Sequence, residues 1–185
     1  MDRTMAKLRS LLVMLLIALS SASLFAFEPD TSNELELDAQ KAILAIKSRN
    51  PGIQAYFDHA AGYAVFPSVG KGGYIIGGGY GRGVVIAGER VQGYTTLTEF
   101  SVGAQIGGQK FAEFIFFKDE VALTNFKRGN LEFGANVSAV AITAATTLDT
   151  SYDNGVAVFT NAAGGLMAAA TVGGQKFTYE PKGGE

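Results

Sequence analysis

Apolar residues recur at helical spacing just after residue 30, which predicts an amphipathic helix at the start of the folded region. This helix is expected to begin with a cap at Ser32 or Asn33 and to end at about Arg49, because an Asn-Pro-Gly sequence follows. A second short helix is expected over residues 53–60. The residues that these two helices present to a core are Leu35, Ala39, Ala42, Ile43, Ile46, Ile53, Tyr56 and Phe57.

After Gly62 the pattern changes to the alternation of apolar and polar residues that is typical of β-strands. The alternation is cleanest over residues 100–106, where every second residue is apolar. Glycine and charged residues separate the β-prone segments, and the polar segment 146–154 is expected to be a loop. The predicted strands cover residues 63–66, 73–79, 83–88, 94–98, 100–106, 111–117, 131–133, 135–143, 156–160, 166–172 and 175–179.

A third helix is expected among these strands, from a cap at Asp119 to about Lys127. Its packing residues are Val121, Leu123 and Phe126. Many short strands and two or three helices predict one domain over residues 27–185, with a core at about 32–180 and an α+β, predominantly β fold. The strands are expected to form a closed or nearly closed antiparallel β-barrel, because closure removes the exposed edges of uncharged β-segments.

The first 26 residues have the pattern of a cleavable export signal. Three basic residues precede an apolar run at 11–19, which is shorter than the roughly 20 residues of a membrane-spanning helix. Small residues follow, and cleavage is expected after Ala22 or Ala26. An uncleaved membrane anchor is the alternative. Export would place the protein in the periplasm or outside the cell.

Composition narrows the function further. The chain has no cysteine, which excludes disulfides and cysteine-ligated metals. Its net charge is −2, and without the first 26 residues it is −4, from 12 basic and 16 acidic residues. A mildly acidic protein lacks the basic surface of a general nucleic-acid binder. Attraction to an anionic partner must therefore come from a local patch.

Residues of the kinds that carry catalysis do not form a recognisable set. The glycine-rich segment 70–83 has neither the G-x-G-x-x-G nor the P-loop spacing of a nucleotide site. His59 is the only histidine and is expected to lie exposed at a helix end. Glu99, Glu113 and Glu132 are isolated among predicted strands, so no acid–base pair can be named. We therefore expect no enzyme activity, no cofactor and no metal.

Basic and aromatic residues in or beside the glycine-rich turns and the later strands predict a site for a lipid headgroup. Each cation near an anionic membrane surface contributes about 1 kcal/mol, so several that converge would give weak, salt-sensitive binding. A scattered, solvated position is the alternative for each one. The candidates are Lys71, Arg82, Arg90, Lys110, Lys118, Lys127, Arg128, Lys176, Tyr74 and Tyr80, with Phe117 as a further exposed aromatic.

Three segments in order resemble the SYLF domain family. They are GYAVFPSVGKGGYIIGGGYGRGVV at 62–85, GYTTLTEFSVGAQIGGQKFAEFIFF at 93–117 and FKDEVALTNFKRGNLEFGANVSAVA at 117–141, within a similarity over about residues 32–179. The resemblance implies a β-barrel with surface helices that binds lipids, notably phosphoinositides in eukaryotic members, and actin in some fungal and animal members. Two features depart from the family pattern: alanine replaces charged residues within 159–169, and the mature N-terminus is acidic. Its acidic residues are Glu28, Asp30, Glu34, Glu36 and Asp38.

These patterns together predict a non-catalytic module of the cell envelope that binds anionic lipid peripherally. The alternative is a periplasmic scaffold or protein-interaction domain with no specific lipid ligand. An outer-membrane β-barrel also fits an export signal, but the interrupting helices and the PKGGE ending argue against it. Export also argues against phosphoinositides and actin as partners.

Overall fold

The computed structural model of the chain describes residues 27–73, 76–102, 109–129, 132–133, 152–162, 165–166 and 174–183. Several predicted features lie wholly or largely outside these ranges: the export signal, the end of strand 100–106, strand 135–143, most of loop 146–154, strand 166–172 beyond its first residue, and Tyr74. The backbone of Lys71 is described, but its side chain also lies outside the described part.

Three helices form close to where the sequence predicts them. Helix α1 spans Glu34–Arg49, and helix α2 spans Gln54–His59 directly after a 3-10 turn at Pro51–Ile53. Helix α3 spans Glu120–Lys127. The predicted ends of the first and third helices are thereby confirmed.

Side chains cap the two longer helices. The Oδ1 of Asn33 accepts hydrogen bonds from the N–H groups of Leu35, at 3.1 Å, and Glu36, at 3.3 Å. The Oδ1 of Asp119 accepts one from the N–H of Ala122, at 2.8 Å. Because the first N–H groups of a helix have no partner within the helix, these acceptors define where α1 and α3 begin.

The predicted core faces of the helices are confirmed with one exception. Val121 is 69% exposed, so the prediction that it packs inward was wrong. Ala122 takes the buried position beside it, together with Leu123 and Phe126. The confirmed residues are buried at Ala39, Ile43, Ile46, Ile53, Tyr56, Leu123 and Phe126, and half-buried at Leu35, Ala42 and Phe57.

The described strands form one antiparallel sheet. Six strands have seven residues or more, and β5 and β7 have two residues each. Their order across the sheet is β5-β8-β3-β2-β1-β4-β6-β7. The strands are β1 (Gly62–Gly73), β2 (Ile76–Ala87), β3 (Arg90–Val102), β4 (Gln109–Phe117), β5 (Glu132–Phe133), β6 (Val156–Ala162), β7 (Gly165–Leu166) and β8 (Gln175–Pro181).

Strand β1 is longer than the predicted segment 63–66 because it continues past Pro67. The register of β1 shifts between Val65 and Ser68 against β2, and between Phe66 and Val69 against β4. Proline has no N–H for the strand ladder, so a bulge of this kind accommodates it inside a sheet. Strands β2 and β3 likewise each join two of the predicted segments.

An α+β, predominantly β fold is confirmed, but a closed barrel is not. Among the described strands, β5 and β7 are the two edges and each pairs with one neighbour, so the sheet is open. The sheet is nevertheless strongly curved. The ring of Phe66 in β1 lies 5.9 Å from the ring of Phe177 in β8, although β2 and β3 stand between these strands in the sheet order.

Apolar residues cover both faces of the curved sheet. Helices α1 and α2 pack on what we name the outer face, and helix α3 packs on the concave inner face. The central outer-face residues are Tyr63, Val65, Val84, Ile86, Phe114, Phe116, Ala157 and Phe159. The inner-face core contains Ala64, Phe66, Val69, Val85, Leu97, Phe111, Ile115, Phe117, Val158 and Phe177.

Candidate functional site

A groove lies between helix α1 and the edge of the outer face at β1, β4 and β6. Its volume is about 420 Å³. Its basic lining residues are Lys41 and Arg49 from α1 and Lys110 from β4, and its acidic lining residue is Asp38. The groove therefore carries two more positive than negative charges, although the chain as a whole is acidic.

Residue spacing in α1 shapes this groove. Asp38, Ala42, Ala45 and Arg49 recur at steps of three and four residues, which places them along one stripe of the helix. The two alanines leave space between the helix and the sheet, and charged side chains stand at both ends of the stripe. This spacing is the signal that could have identified Arg49, and Lys41 lies one helical turn after Asp38. The sequence interpretation missed both residues.

The cations of the groove are only weakly engaged within the protein. Lys41 Nζ lies 2.9 Å from Asp38 Oδ1, but both side chains are more than half exposed, and exposed pairs of this kind contribute about 0.2–1 kcal/mol. Arg49 donates a long hydrogen bond of 3.4 Å to the side chain of Asn161. Lys110 is exposed and has no ion-pair partner among the described residues. All three cations can therefore turn to an anionic ligand.

Some of the predicted residues continue from the groove across the outer face. Lys110 pairs with Gly70, Gly70 with Tyr80, Tyr80 with Thr98, and Thr98 with Lys176. Directly paired residues point to the same side of a sheet, and neighbouring strands lie about 4.8 Å apart. Lys110, Tyr80 and Lys176 therefore form one lateral row, with Tyr80 roughly 10 Å along the sheet from each lysine.

Arg82 lies beside this row and connects it to the groove. It is exposed and pairs with Ser68, which lines the groove. Tyr80, two residues away in β2, is 56% exposed, as the sequence predicts. We name the groove cations together with Tyr80, Arg82 and Lys176 the basic face.

The remaining predicted residues do not join the basic face. Arg90 is exposed at the start of β3. Lys118 precedes α3, Lys127 is its last residue, and Arg128 follows it. The ammonium group of Lys118 lies 6.0 Å from the centre of the Tyr152 ring, and that of Lys127 lies 5.8 Å from the centre of the Tyr179 ring. Lys71 lies in β1 opposite Gly79 and Gln109. Phe117 is fully buried, so its expected exposure was wrong: its ring packs 4.9 Å from the Phe126 ring of α3.

A buried carboxylate holds the start of helix α1 in place. Glu36 is fully buried. Its Oε1 accepts hydrogen bonds from Lys182 Nζ at 2.6 Å and the Tyr94 hydroxyl at 2.8 Å, and its Oε2 accepts one from the Asp30 N–H at 2.7 Å. We name these four residues the clasp. The clasp ties α1 to β3 and to the end of the described chain, and so fixes the helix that carries Lys41.

The clasp also sets the ionisation of its members. Burial alone would raise the pKa of Glu36, but the Lys182 ammonium, the Asp30 N–H and the Tyr94 hydroxyl together hold this pKa below its ordinary value. The hydrogen bond to Glu36 raises the pKa of Lys182. Glu36 is therefore ionised, and Lys182 balances its charge inside the protein. Glu36 does not add to the acidic surface that the sequence indicates for the N-terminal segment.

Two glutamates that the sequence leaves isolated meet on the inner face. Gln175 Nε2 donates to Glu99 Oε2 at 3.2 Å and to Glu113 Oε2 at 3.1 Å, and all three residues are buried. Glu99 lies two residues after the core residue Leu97, and Gln175 lies two residues before the core residue Phe177. Because side chains two residues apart in a strand point to the same face, this spacing is the signal that places Glu99 and Gln175 on the core face. Glu113 and Gln175 are fully buried, so this arrangement belongs to the core and not to an accessible surface.

The described residues contain no further grouping with obvious reactive chemistry. His59 is exposed at the end of α2, as predicted, and its Nδ1 lies 2.8 Å from the Ala55 carbonyl oxygen. Within the described ranges, no three His, Cys, Asp or Glu residues are arranged to hold a metal ion. In the same ranges, no helix has both the length and the apolar character that crossing a membrane requires.

Comparison with known proteins finds a partial sequence similarity. No family model matches the chain. Beta cell expansion factor A from Aeromonas veronii is 28% identical to it over 155 residues, which cover 80% of this chain and 59% of that protein. The chain thus matches less than two thirds of the length of this relative.

Proposed function

We propose that this protein is an exported, non-catalytic module that binds anionic lipid headgroups at the surface of a membrane. One observation carries the proposal: the fold brings Lys41, Arg49 and Lys110 together in a single groove of about 420 Å³. A phosphate-bearing headgroup supplies the negative charge that this groove lacks.

The expected strength of binding follows from the number of cations. Each cation at an anionic surface contributes about 1 kcal/mol, so the groove contributes about 3 kcal/mol, or roughly a hundredfold in affinity. These cations are exposed, and physiological salt screens charges beyond about 8 Å. Binding should therefore be moderate and should weaken as salt increases.

The rest of the basic face supports a peripheral orientation on a membrane. Arg82 is exposed next to the groove, and Lys176 lies in the same lateral row as Lys110. Between them Tyr80 is 56% exposed, and a tyrosine ring has the apolar body and polar tip that suit the headgroup level of a bilayer. The membrane would then contact the outer face beyond helix α1.

The resemblance to the SYLF family supports both the lipid ligand and a closed form of the sheet. The strands predicted at 135–143 and 166–172 lie, apart from Leu166, outside the described residues. The hydrogen bond from Gln175 to Glu113 joins β8 to β4 across the concave inner face, as expected of a sheet that curls toward closure. The export signal predicted from the sequence supports a location in the envelope or outside the cell.

Vesicle flotation tests the proposal directly. Protein recovered after export should float with phosphatidylglycerol-containing vesicles at low salt and not with vesicles of phosphatidylcholine alone. The variant K41Q/R49Q/K110Q should bind the anionic vesicles about a hundredfold more weakly. A matched control removes three cations outside the basic face, R90Q/K127Q/R128Q, and should lose less than threefold.

A gain-of-function variant makes the test sharper. Gly70 lies between Lys110 and Tyr80 in the lateral row, and a Cβ at this position meets nothing within 4 Å. Gly70→Lys should therefore strengthen binding to anionic vesicles, and Gly70→Glu should weaken it. Equal losses in the groove variant and the control variant, or no vesicle binding by the wild type, would reject the proposal. Capture of a stoichiometric envelope protein without vesicle binding would favour the scaffold alternative.

A further inference from the structure

A second cavity lies on the opposite side of helix α1 from the groove. Its volume is about 370 Å³, within the range of about 300–1,000 Å³ that is usual for small-molecule pockets. Helices α1 and α2, the start of β1 and the β2–β3 turn enclose it. Its charged lining residues are Lys47, Asp58 and Glu89, and its aromatic ones are Phe57 and Tyr63.

The β2–β3 turn places Glu89 at this cavity in an unfavourable backbone conformation. Gly88 has φ +57° and Glu89 has φ +61°, the pattern of a two-residue type I′ hairpin. Glycine or asparagine is preferred at such positions, and another residue is strained there. The conformation of the turn therefore does not favour glutamate at this position.

The other acidic group is oriented by a neighbour. Gln54 Nε2 donates a hydrogen bond of 2.7 Å to Asp58 Oδ1, which fixes the carboxylate of Asp58 at the cavity wall. Burial and the nearby charge of Glu89 both raise the pKa of Tyr63, and Glu89 and Tyr63 line the same cavity. Two carboxylates thus face a cavity with aromatic walls, an arrangement that suits a ligand ammonium group.

The basic group of the cavity, Lys47, lies against an aromatic ring. Lys47 Nζ lies 4.4 Å from the centre of the Phe57 ring, and Lys47 has no ion-pair partner within the described part of the chain. Burial lowers its pKa, and the charge of Asp58 opposes this effect. The ammonium is therefore partly removed from water and available to a ligand anion.

We infer that this cavity binds a small zwitterion, with its anionic group at Lys47 and its ammonium group between Asp58 and Glu89. The ethanolamine phosphate headgroup of a lipid and a free amino acid both have this chemistry. The site is separate from the groove and does not require that the groove bind anionic lipid.

NMR titration of the protein recovered after export, with O-phosphoethanolamine and with glycine, tests the inference. At least one zwitterion should shift the signals of residues that line the cavity, including Lys47, Asp58 and Tyr63. Ethanolamine and inorganic phosphate, which each carry only one of the two charges, should bind at least tenfold more weakly. A response to O-phosphoethanolamine alone identifies the ligand as a lipid headgroup, and a response to glycine alone identifies the ligand as an amino acid.

Variants separate binding from folding. Lys47→Met should weaken binding at least tenfold. Glu89→Asn should also weaken it at least tenfold while raising the midpoint of thermal unfolding, because asparagine suits the turn better than glutamate. Arg128→Met, at an exposed position after α3 and outside both cavities, should leave zwitterion binding unchanged. The inference is overturned if neither zwitterion shifts the cavity signals, or if Glu89→Asn binds as tightly as the wild type.

Discussion

Replacing Glu36 with glutamine removes the charge at the centre of the clasp and leaves a side chain of nearly the same shape. The carboxylate accepts three hydrogen bonds, from Lys182, Tyr94 and Asp30. A hydrogen bond to a charged group contributes about 1.5–3 kcal/mol. The amide keeps one acceptor oxygen and turns an N–H₂ group toward donors. We expect Glu36→Gln to lower the free energy of unfolding by about 2–3 kcal/mol.

Removing the partner lysine should destabilise the protein for a different reason. Lys182 has a side chain that is 37% exposed, whereas that of Glu36 is fully buried. After Glu36→Gln the ammonium can return to water. In Lys182→Met, by contrast, a buried carboxylate stays behind with two donors and no counter-charge, so we expect a loss of about 1–3 kcal/mol. The loss should come from the desolvated Glu36 and not from the missing lysine itself.

The clasp also predicts how stability depends on pH. Because the folded pKa of Glu36 lies below its ordinary value of 4.5, its contribution is fully present above that value and is lost as the pH falls through the lower, folded value. The pKa of Lys182 is raised above 10.5, so its contribution is present below 10.5 and is lost as the pH rises further. Between about pH 5 and pH 10 the clasp should be intact.

Urea unfolding of the wild type, Glu36→Gln, Lys182→Met and the double variant between pH 3 and pH 7 measures these effects. The fall in stability below pH 5 should be smaller in Glu36→Gln than in the wild type. The exposed pair gives a matched control, and Lys41→Met should cost less than about 0.5 kcal/mol. A Glu36→Gln protein within 0.5 kcal/mol of the wild type, with an unchanged pH profile, would refute the reasoning.

Three further variants and one glycine control test the packing of the sheet and a helix start. Gly83→Ala should lower the free energy of unfolding in urea by about 1–3 kcal/mol, because the added Cβ would lie 2.6 Å from a backbone carbonyl oxygen. The control Gly70→Ala should change this free energy by less than about 0.5 kcal/mol, because its Cβ would meet nothing within 4 Å. Gln175→Leu should cost about 3 kcal/mol in the same assay, because two buried carboxylates lose a shared donor. Asn33→Ala should lower the thermal midpoint in line with the loss of a helix cap, about 1 kcal/mol. Equal stability of the two glycine variants, or a neutral Gln175→Leu or Asn33→Ala, would contradict the corresponding account.

The helices and most strands of the described region could be predicted because their signals are local. Asn33 and Asp119 cap α1 and α3 through N–H groups two or three residues away. Helical and alternating periodicity likewise depends on neighbours in the chain. The wrong prediction for Val121 arose because two apolar residues compete for one face of a short helix, and only packing against the sheet selects between them.

Contacts between residues far apart in the sequence could not be predicted. Glu36 meets Lys182 across 146 residues, and Gln175 meets Glu113 across 62. Nothing in a glutamate or a lysine specifies its partner; the order of the strands across the sheet does. Likewise, nothing in the sequence specifies that Arg49 and Lys110, which belong to different elements, line one groove. Nor does it specify that other cations lie outside the basic face: Arg90, Lys118, Lys127 and Arg128.

By itself, the sequence determined that this is a predominantly β chain with capped helices, because caps, turns and periodicity act over a few residues. It also determined which basic and aromatic residues were available for a site. Only the tertiary structure decided which of them stand together, because that depends on strand order, on the curvature that brings β8 toward β4, and on the clasp that fixes α1. Surface charges are alike in sequence, and folding alone makes three of them neighbours in one groove.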